Sequence, residues 1–236
     1  MKILIIIPTY NESDNIRAIA GEIFDVYGGL DILVVDDNSP DGTGGIVRDM
    51  QLEDTRVHLL ERSGKLGLGT AYCAGFLWAI ERGYDVVFEM DADFSHDPKE
   101  IPNFLRAIES ADVVIGSRYS TGVNVVNWPM QRLLLSWFAN LYTRLITRMP
   151  IYDATGGFKC FRTDILRGVD LTKIRSNGYA FQIEMNFKLW KRGARMLEIP
   201  IIFVDRRSGV SKMSKNIIWE AAWLVWKLRL LSIFGA

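Results

Sequence analysis

The chain reads as an α/β protein on a mostly parallel, Rossmann-like sheet flanked by helices, and three observations predict that class. Ile3-Leu4-Ile5-Ile6-Ile7 and Ile32-Leu33-Val34-Val35 are short, continuous aliphatic runs, the pattern of strands covered on both faces. Between them Ile16, Ile19, Ile23 and Phe24 recur at helical spacing behind the polar start Asn11-Glu12-Ser13-Asp14. The alternation then repeats, with a helix near 43–52, a short strand at 57–60, a helix near 69–82 and the apolar run Tyr84-Asp85-Val86-Val87-Phe88-Glu89-Met90. Units of this βαβ kind lay successive strands parallel.

Asp97-Pro98 supplies an N-cap and a proline for the first turn of a helix reaching about residue 110, and Val113-Val114-Ile115 is the next strand. Beyond Arg118 the rhythm changes. A long apolar helix is expected over 128–148, another over 181–192, a late strand over 199–204 and a Trp-rich helix over 217–234. The stretches 119–128 and 207–214 are expected to be mobile. No linker, internal repeat or low-complexity tract interrupts the 236 residues, so one domain with an elaborated second half is expected.

The 28 basic and 28 acidic residues cancel, so no net field draws the chain to nucleic acid. Cys73 and Cys160 have no metal-ligand spacing and are expected to be free thiols in a reducing compartment. Only five apolar residues separate Met1-Lys2 from Pro8, too few for a signal peptide or a spanning helix, which places the body of the chain in the cytoplasm.

Chemistry concentrates where strands end. Asp91-Ala92-Asp93 closes the run that begins at Tyr84, and in a parallel sheet that end opens on the carboxyl edge, where open α/β folds bind ligands. Two hard carboxylates there suit Mg or Mn shared with the phosphates of a substrate. Pro8-Thr9-Tyr10-Asn11-Glu12 and Asp36-Asp37-Asn38-Ser39-Pro40-Asp41-Gly42-Thr43 follow the first two strands and converge on the same crevice, with Tyr10 able to pack on a base. The second segment also reads as a plain turn, which accounts for Pro40, Asp41 and Gly42 but not for Asp36 and Asp37 closing an apolar strand. Lys65-Leu66-Gly67-Leu68-Gly69 lacks the Gly-Lys-Ser/Thr ending of a phosphate-binding loop and reads as a loop shaping the site; no Gly-x-Gly-x-x-Gly follows the first strand, against a dehydrogenase.

In this order and spacing, Pro8 to Glu12, Val35 to Thr43, Lys65 to Tyr72, Met90 to His96, Gly116 to Tyr119, Gly178 to Met185 and Phe203 to Lys212 resemble the family 2 inverting glycosyltransferases of GT-A fold, and within them most the dolichyl-phosphate mannose synthases. The resemblance covers nearly the whole chain. It implies mannose transfer from GDP-mannose to the phosphate of a dolichyl or polyprenyl phosphate. Pro8, Tyr10, Glu12, Val35 and Asp37 would line the nucleotide pocket, and Asp91, Ala92 and Asp93 would meet the diphosphate and sugar, with Asp93 the principal metal ligand. Some relatives place a glutamine two residues after this Asp; Ser95 stands here, and a hydroxyl is a poorer metal ligand. Arg206 and Lys212 lie in a Gly- and Ser-containing segment of the kind that closes over phosphates. The halves would be 1–118 for nucleotide-sugar and 119–213 for acceptor, with 214–236 a membrane-surface helix.

Arg132, Ser136, Asn140 and Arg144 form one polar stripe on a rod of Leu133, Leu134, Leu135, Trp137, Phe138, Leu141, Tyr142, Leu145 and Ile146. A helix apolar over most of its circumference is buried or lies in lipid, and its arginines favour the interface over a span. In the family resembled, residues matching Arg118, Arg132 and Ser136 hold the acceptor lipid's phosphate, which suits the planar fork of Arg. Trp219, Trp223 and Trp226 with Lys227 and Arg229 read as a second interfacial helix, placing the protein on the cytoplasmic face of a membrane. Some relatives work with a small membrane partner subunit. A phosphate monoester is already anionic near neutral pH and needs no base, so catalysis would rest on positioning and charge by Asp91, Asp93 and Arg118. Glucose transfer from UDP-glucose is the neighbouring alternative. A hydroxyl acceptor would require a base such as Asp153 or Glu184, and a non-catalytic nucleotide-sugar binding module is the reading from another class.

Overall fold

The computed structural model describes residues 1–205 and the helix at 215–234, with side chains of that helix described from 221 to 232. Arg206, Lys212 and the 207–214 stretch expected to be mobile lie outside the described residues, as do the side chains of Trp219 and Glu220.

Strand β1 (Ile3–Thr9) leads through α1 (Ile16–Val26) to β2 (Asp31–Asp36), and α2 (Thr43–Glu53), β3 (Val57–Glu61), α3 (Leu68–Glu81) and β4 (Val86–Glu89) follow as the periodicity predicts. A short 3₁₀ turn at Pro98–Glu100, capped by the Asp97 side chain accepting from the Lys99 N–H at 2.9 Å, opens α4 (Ile101–Ala107) before β5 (Val113–Ser117). Then come β6 (Val125–Val126), α5 (Met130–Thr147), β7 (Lys159–Arg162), α6 (Thr163–Arg167), α7 (Gly178–Lys191), β8 (Met196–Pro200), β9 (Phe203–Val204) and α8 (Lys215–Phe234).

Seven strands form one sheet in the order β3-β2-β1-β4-β7-β5-β8, parallel except for β7. The unbroken aliphatic runs are two-faced at period two. Ile3, Ile5, Ile7, Ile32 and Val34 pack under α1, α2 and α4, whereas Leu4, Ile6, Leu33 and Val35 pack under α3 and α7. Because β1 has β2 on one side and β4 on the other, the sheet has a switch point at the carboxyl ends of β1 and β4, where Tyr10 and Asp91 emerge.

Two expectations need correction. The late strand over 199–204 is two strands, β8 and β9, because Met196 to Pro200 pairs with β5 while Phe203 and Val204 turn away to pair with β6. The sequence reading also had no strand at β7, an antiparallel insertion between β4 and β5. Its four residues end in Lys159 and Arg162, and Lys159 is fully buried between Glu89, 3.9 Å away, and Gln182. Burial pushes the Lys159 ammonium down and the Glu89 carboxyl up from their ordinary values. Being antiparallel, β7 brings residues 153–158, which precede it, to the same edge as Asp91.

The Lys65 to Gly69 loop serves packing. Gly67 adopts φ +102°, and a Cβ on Gly69 would lie 2.2 Å from the Ser176 carbonyl oxygen, so only glycine lets α3 start against that segment.

Candidate functional site

At the carboxyl edge of the sheet the loops after β1, β2 and β4 are fixed by one another. Asp36 is buried and accepts hydrogen bonds from Thr9 Oγ1 at 2.7 Å, Ser39 N–H at 2.9 Å and Ser39 Oγ at 2.6 Å, so it clamps the ends of β1 and β2. Asp41 accepts from the Ser13 and Thr43 N–H groups, each at 3.0 Å, and Thr43 Oγ1 accepts from Glu12 N–H at 3.0 Å. Partial burial would raise the Asp41 carboxyl, but these hydrogen bonds override it and bring it down to about 2. The turn reading of this segment therefore holds for Asp41, and the expectation that it leaves Asp36 unexplained is corrected, since Asp36 is spent on Thr9 and Ser39. Asp37 closes β2 against the following loop, accepting from Arg62, from Leu66 N–H at 3.0 Å and from Gly67 N–H at 3.3 Å. Tyr10 is half-buried with Lys65 Nζ 4.2 Å from its ring centroid, Pro8 and Glu12 are half-buried beside it, and the Val35 side chain points into the core.

Asp91 and Asp93 emerge half-buried at the tip of β4, with Ala92 buried between them. Asp91 accepts from Tyr72 OH at 3.2 Å, and its N–H donates to His96 Nδ1 at 3.0 Å; Asp93 accepts from Ser95 N–H at 3.1 Å. His96 is buried and stacks on Phe158 at 5.0 Å, and burial pushes its imidazole down, toward the neutral form whose Nδ1 accepts. Among the described residues no three His, Cys, Asp or Glu side chains gather around one point. Two hard carboxylates without a third ligand fit a Mg- or Mn-type cation that completes its shell with substrate phosphates and water.

A second cluster is built around Arg118. Its Nε and Nη2 meet the two oxygens of Asp153 at 2.7 and 2.6 Å, its N–H also reaches Asp153 at 2.9 Å, and Nη2 reaches Thr155 Oγ1 at 2.8 Å. Arg118 is 4% and Asp153 0% exposed, so this is a fully buried pair. Burial alone would raise the Asp153 carboxyl, but the guanidinium against it holds it below the usual carboxylate range. Asn140 on α5 bonds Thr155 in both directions, at 3.2 and 3.3 Å, tying the helix to this pair.

Helix α5 is inside out. Asn140, Thr143 and Thr147 face the protein, while Leu134, Trp137, Phe138 and Leu145 face outward, Leu145 being 68% exposed. On α8, which packs against α5 with Tyr142 OH donating to Ala222 carbonyl at 3.1 Å, Trp223 is 71% exposed, with Trp226, Leu230 and Leu231 also outward. Asn140, Thr143 and Thr147 are thus internal while Leu134, Trp137, Phe138 and Leu145 leave an apolar surface facing outward, which a core helix would not. No helix among the described residues is long and apolar enough to cross a membrane.

Between α5, α7 and α8 lies a cavity of about 430 Å³, apolar through Leu135, Phe138, Ile183 and Val225, with Trp128, Arg132, Ser136 and Thr155 among its polar lining. Arg132 bonds both oxygens of Asp205 at 2.9 Å, and Ser136 accepts from Tyr119 OH at 2.8 Å. The 119–128 stretch, expected to be mobile, is tied at Tyr119, at the Asn124 N–H to Arg118 carbonyl bond of 2.9 Å, and by β6 pairing with β9.

Pro8, Tyr10, Glu12, Asp37, Asp91 and Asp93 lie at the ends of β1, β2 and β4, whereas the Val35 side chain is in the core; Arg132 and Ser136 line the cavity, and Arg118 stands behind it, bonded to Thr155. Sequence reasoning gave no place to His96, Thr155, Asn140 or Trp128 in the site. His96 stood inside the Asp91 motif and Asn140 within the stripe; Thr155 follows Asp153, whose approach depends on the unrecognised β7.

Residues 4–169 match the family described as Glycosyl transferase family 2. An undecaprenyl-phosphate mannosyltransferase of Micrococcus luteus is 48% identical over 221 residues, covering 94% of this chain and 91% of its own. A polyprenol monophosphomannose synthase of Mycolicibacterium smegmatis is 46% identical over 230 residues, covering 96% and 87%. Among solved structures, the glucosyl-3-phosphoglycerate synthase of Mycobacterium tuberculosis with Mn2+ and UDP-glucose superposes with a TM-score of 0.68 at 16% identity, over 99% of this chain and 79% of that one. The mannosyltransferase PcManGT of Pyrobaculum calidifontis with GDP-Man and Mn2+ superposes with a TM-score of 0.58 at 17% identity, over 100% and 74%. The fold is GT-A, and the chain is a glycosyltransferase that belongs to glycosyl transferase family 2.

Proposed function

We propose that this enzyme transfers mannose from GDP-mannose to the phosphate of a polyprenyl phosphate, with inversion, at the cytoplasmic face of a membrane. The observation that carries the reading is the apolar cavity under the inside-out helix α5, with Arg132 and Ser136 in its lining and the Arg118 pair behind Thr155. A long isoprenoid chain suits an apolar cavity open to an apolar surface, and a phosphate suits guanidinium and hydroxyl donors. The names of the two relatives nearly half identical to this chain point to the same acceptor class and sugar.

Residues 1–118 would hold the nucleotide sugar, with Pro8, Tyr10, Glu12 and Asp37 around the nucleotide and Val35, its side chain in the core, supporting the pocket from behind. Residues 119–213 would hold the acceptor, and 214–236 would lie on the membrane. Asp91 and Asp93 would hold a Mg or Mn ion, which supplies positive charge beside the donor diphosphate. Arg118, Arg132 and Ser136 orient the acceptor phosphate so that one of its oxygens attacks the anomeric carbon. The bond from that carbon to the nucleoside diphosphate breaks on the opposite face, and GDP leaves with the electron pair. No proton has to be removed from the nucleophile. This agrees with Asp153 being spent on Arg118, and with Glu184 accepting from Ser176 Oγ and pairing with Lys188.

Labelled GDP-mannose and UDP-glucose, offered in parallel with undecaprenyl phosphate in detergent with Mg, Mn or EDTA, test the donor. Mannolipid from GDP-mannose, lost in EDTA, is expected; glucolipid alone would replace the donor, and no lipid product from either would remove the reading. Arg132→Ala is expected to raise the KM for the lipid phosphate about 10- to 100-fold, the worth of a charged hydrogen bond, with the KM for GDP-mannose unchanged. An unchanged acceptor KM would return Arg132 to a purely structural pairing with Asp205.

A further inference from the structure

We propose that the indole N–H of Trp128 is a donor to the acceptor's phosphate, and that its ring fixes the placement of the two arginines that share it; this rests on the reading that the acceptor is a phosphate monoester. Trp128 stands two residues before α5 and lines the apolar cavity. The Arg132 guanidinium lies 4.0 Å from its ring centroid and that of Arg118 5.4 Å, while Phe203 meets it edge-on at 5.4 Å. Contacts of this kind orient guanidinium groups as well as attract them.

The indole Nε1 is buried and has no hydrogen-bond partner among the described residues, and the same is true of Nε in the Arg132 guanidinium that lies over its ring. Buried polar groups are nearly always matched, and an indole N–H can only donate, so the missing partner is an acceptor atom. Charge alone does not make this place attractive to a phosphate. Arg118 is neutralised by Asp153 and Arg132 by Asp205, so the two cations and two carboxylates cancel. Directed N–H groups are what remains to recognise phosphate oxygens. Trp128 therefore contributes selectivity for an anionic head group at a site whose net field is weak.

Trp128→Phe keeps a ring for the arginines and removes the N–H, whereas Trp128→Leu removes both. Trp128→Phe is expected to raise the KM for undecaprenyl phosphate about 10-fold, with the KM for GDP-mannose and the unfolding midpoint unchanged. Trp128→Leu is expected to lower kcat as well, because the arginines lose their spacing. In protein labelled with ¹⁵N-tryptophan, the indole resonance missing from Trp128→Phe is expected to move downfield as farnesyl phosphate is added. A wild-type acceptor KM in Trp128→Phe, or a stationary resonance in an enzyme that turns over, would overturn the proposal while leaving the function intact. If the wild type forms no product on a polyprenyl phosphate, the functional reading falls and this inference falls with it.

Discussion

Asp93→Ala is expected to lower mannosyl transfer by about 10³-fold while costing the fold no more than about 1 kcal/mol. The two effects separate because of where the residue sits. Asp93 is half-buried beyond the end of β4 and belongs to neither hydrophobic core cluster, and the hydrogen bond it accepts from Ser95 N–H is local. In the proposed metal site the carboxylate would be one of two hard ligands, and a single remaining carboxylate is a poor site for a divalent ion. Titration of Mn2+ in the presence of GDP, followed by calorimetry, reads this independently of turnover: binding is expected in the wild type and absent in the variant. A variant that keeps most of its activity or its Mn2+ affinity would remove Asp93 from the donor site.

Asp153→Ala is expected to destabilise the protein by about 3–5 kcal/mol, measured by urea unfolding, and to abolish activity. The substitution leaves the Arg118 guanidinium, 4% exposed, with its hydrogen bond to Thr155 Oγ1 but no counter-charge from Asp153, and an uncompensated buried charge is the costly half of a broken ion pair. Asp153→Asn keeps the shape and part of the hydrogen bonding but not the charge, so it should fall between wild type and Ala. If instead Asp153 were a catalytic base, Asn would lose activity as completely as Ala while remaining as stable as the wild type. Equal stability of all three proteins would contradict the buried pair.

Much of this architecture is legible in the sequence because the strands of a doubly covered sheet announce themselves. Ile3 to Ile7 and Ile32 to Val35 have no polar interruption, and the carboxylates that follow can only be at the open edge. The inside-out character of α5 is legible too, since a single polar stripe on an apolar rod must face something polar. Strand β7 is not legible: four residues with a lysine at one end give no periodicity, and the burial of Lys159 depends on Glu89 and Gln182, distant in sequence. Missing β7 also hides the partners of Arg118, because Asp153 and Thr155 reach it only through that antiparallel return. Trp128 reads as the start of an apolar helix; its contact with two arginines arises from the packing of β6, β9 and α5, which no local pattern encodes.

In the proposed reaction the nucleophile is a phosphate oxygen, oriented by Arg118, Arg132 and Ser136 and requiring no base. The most direct test is the initial rate of mannose transfer to undecaprenyl phosphate and to undecaprenol, the same chain ending in a free hydroxyl, under identical detergent and metal. Product from the phosphate, with a β-linked mannose, and none above background from the alcohol is the expected result. Comparable rates on the two acceptors would contradict it, and would require a base that the Arg118–Asp153 pair does not supply.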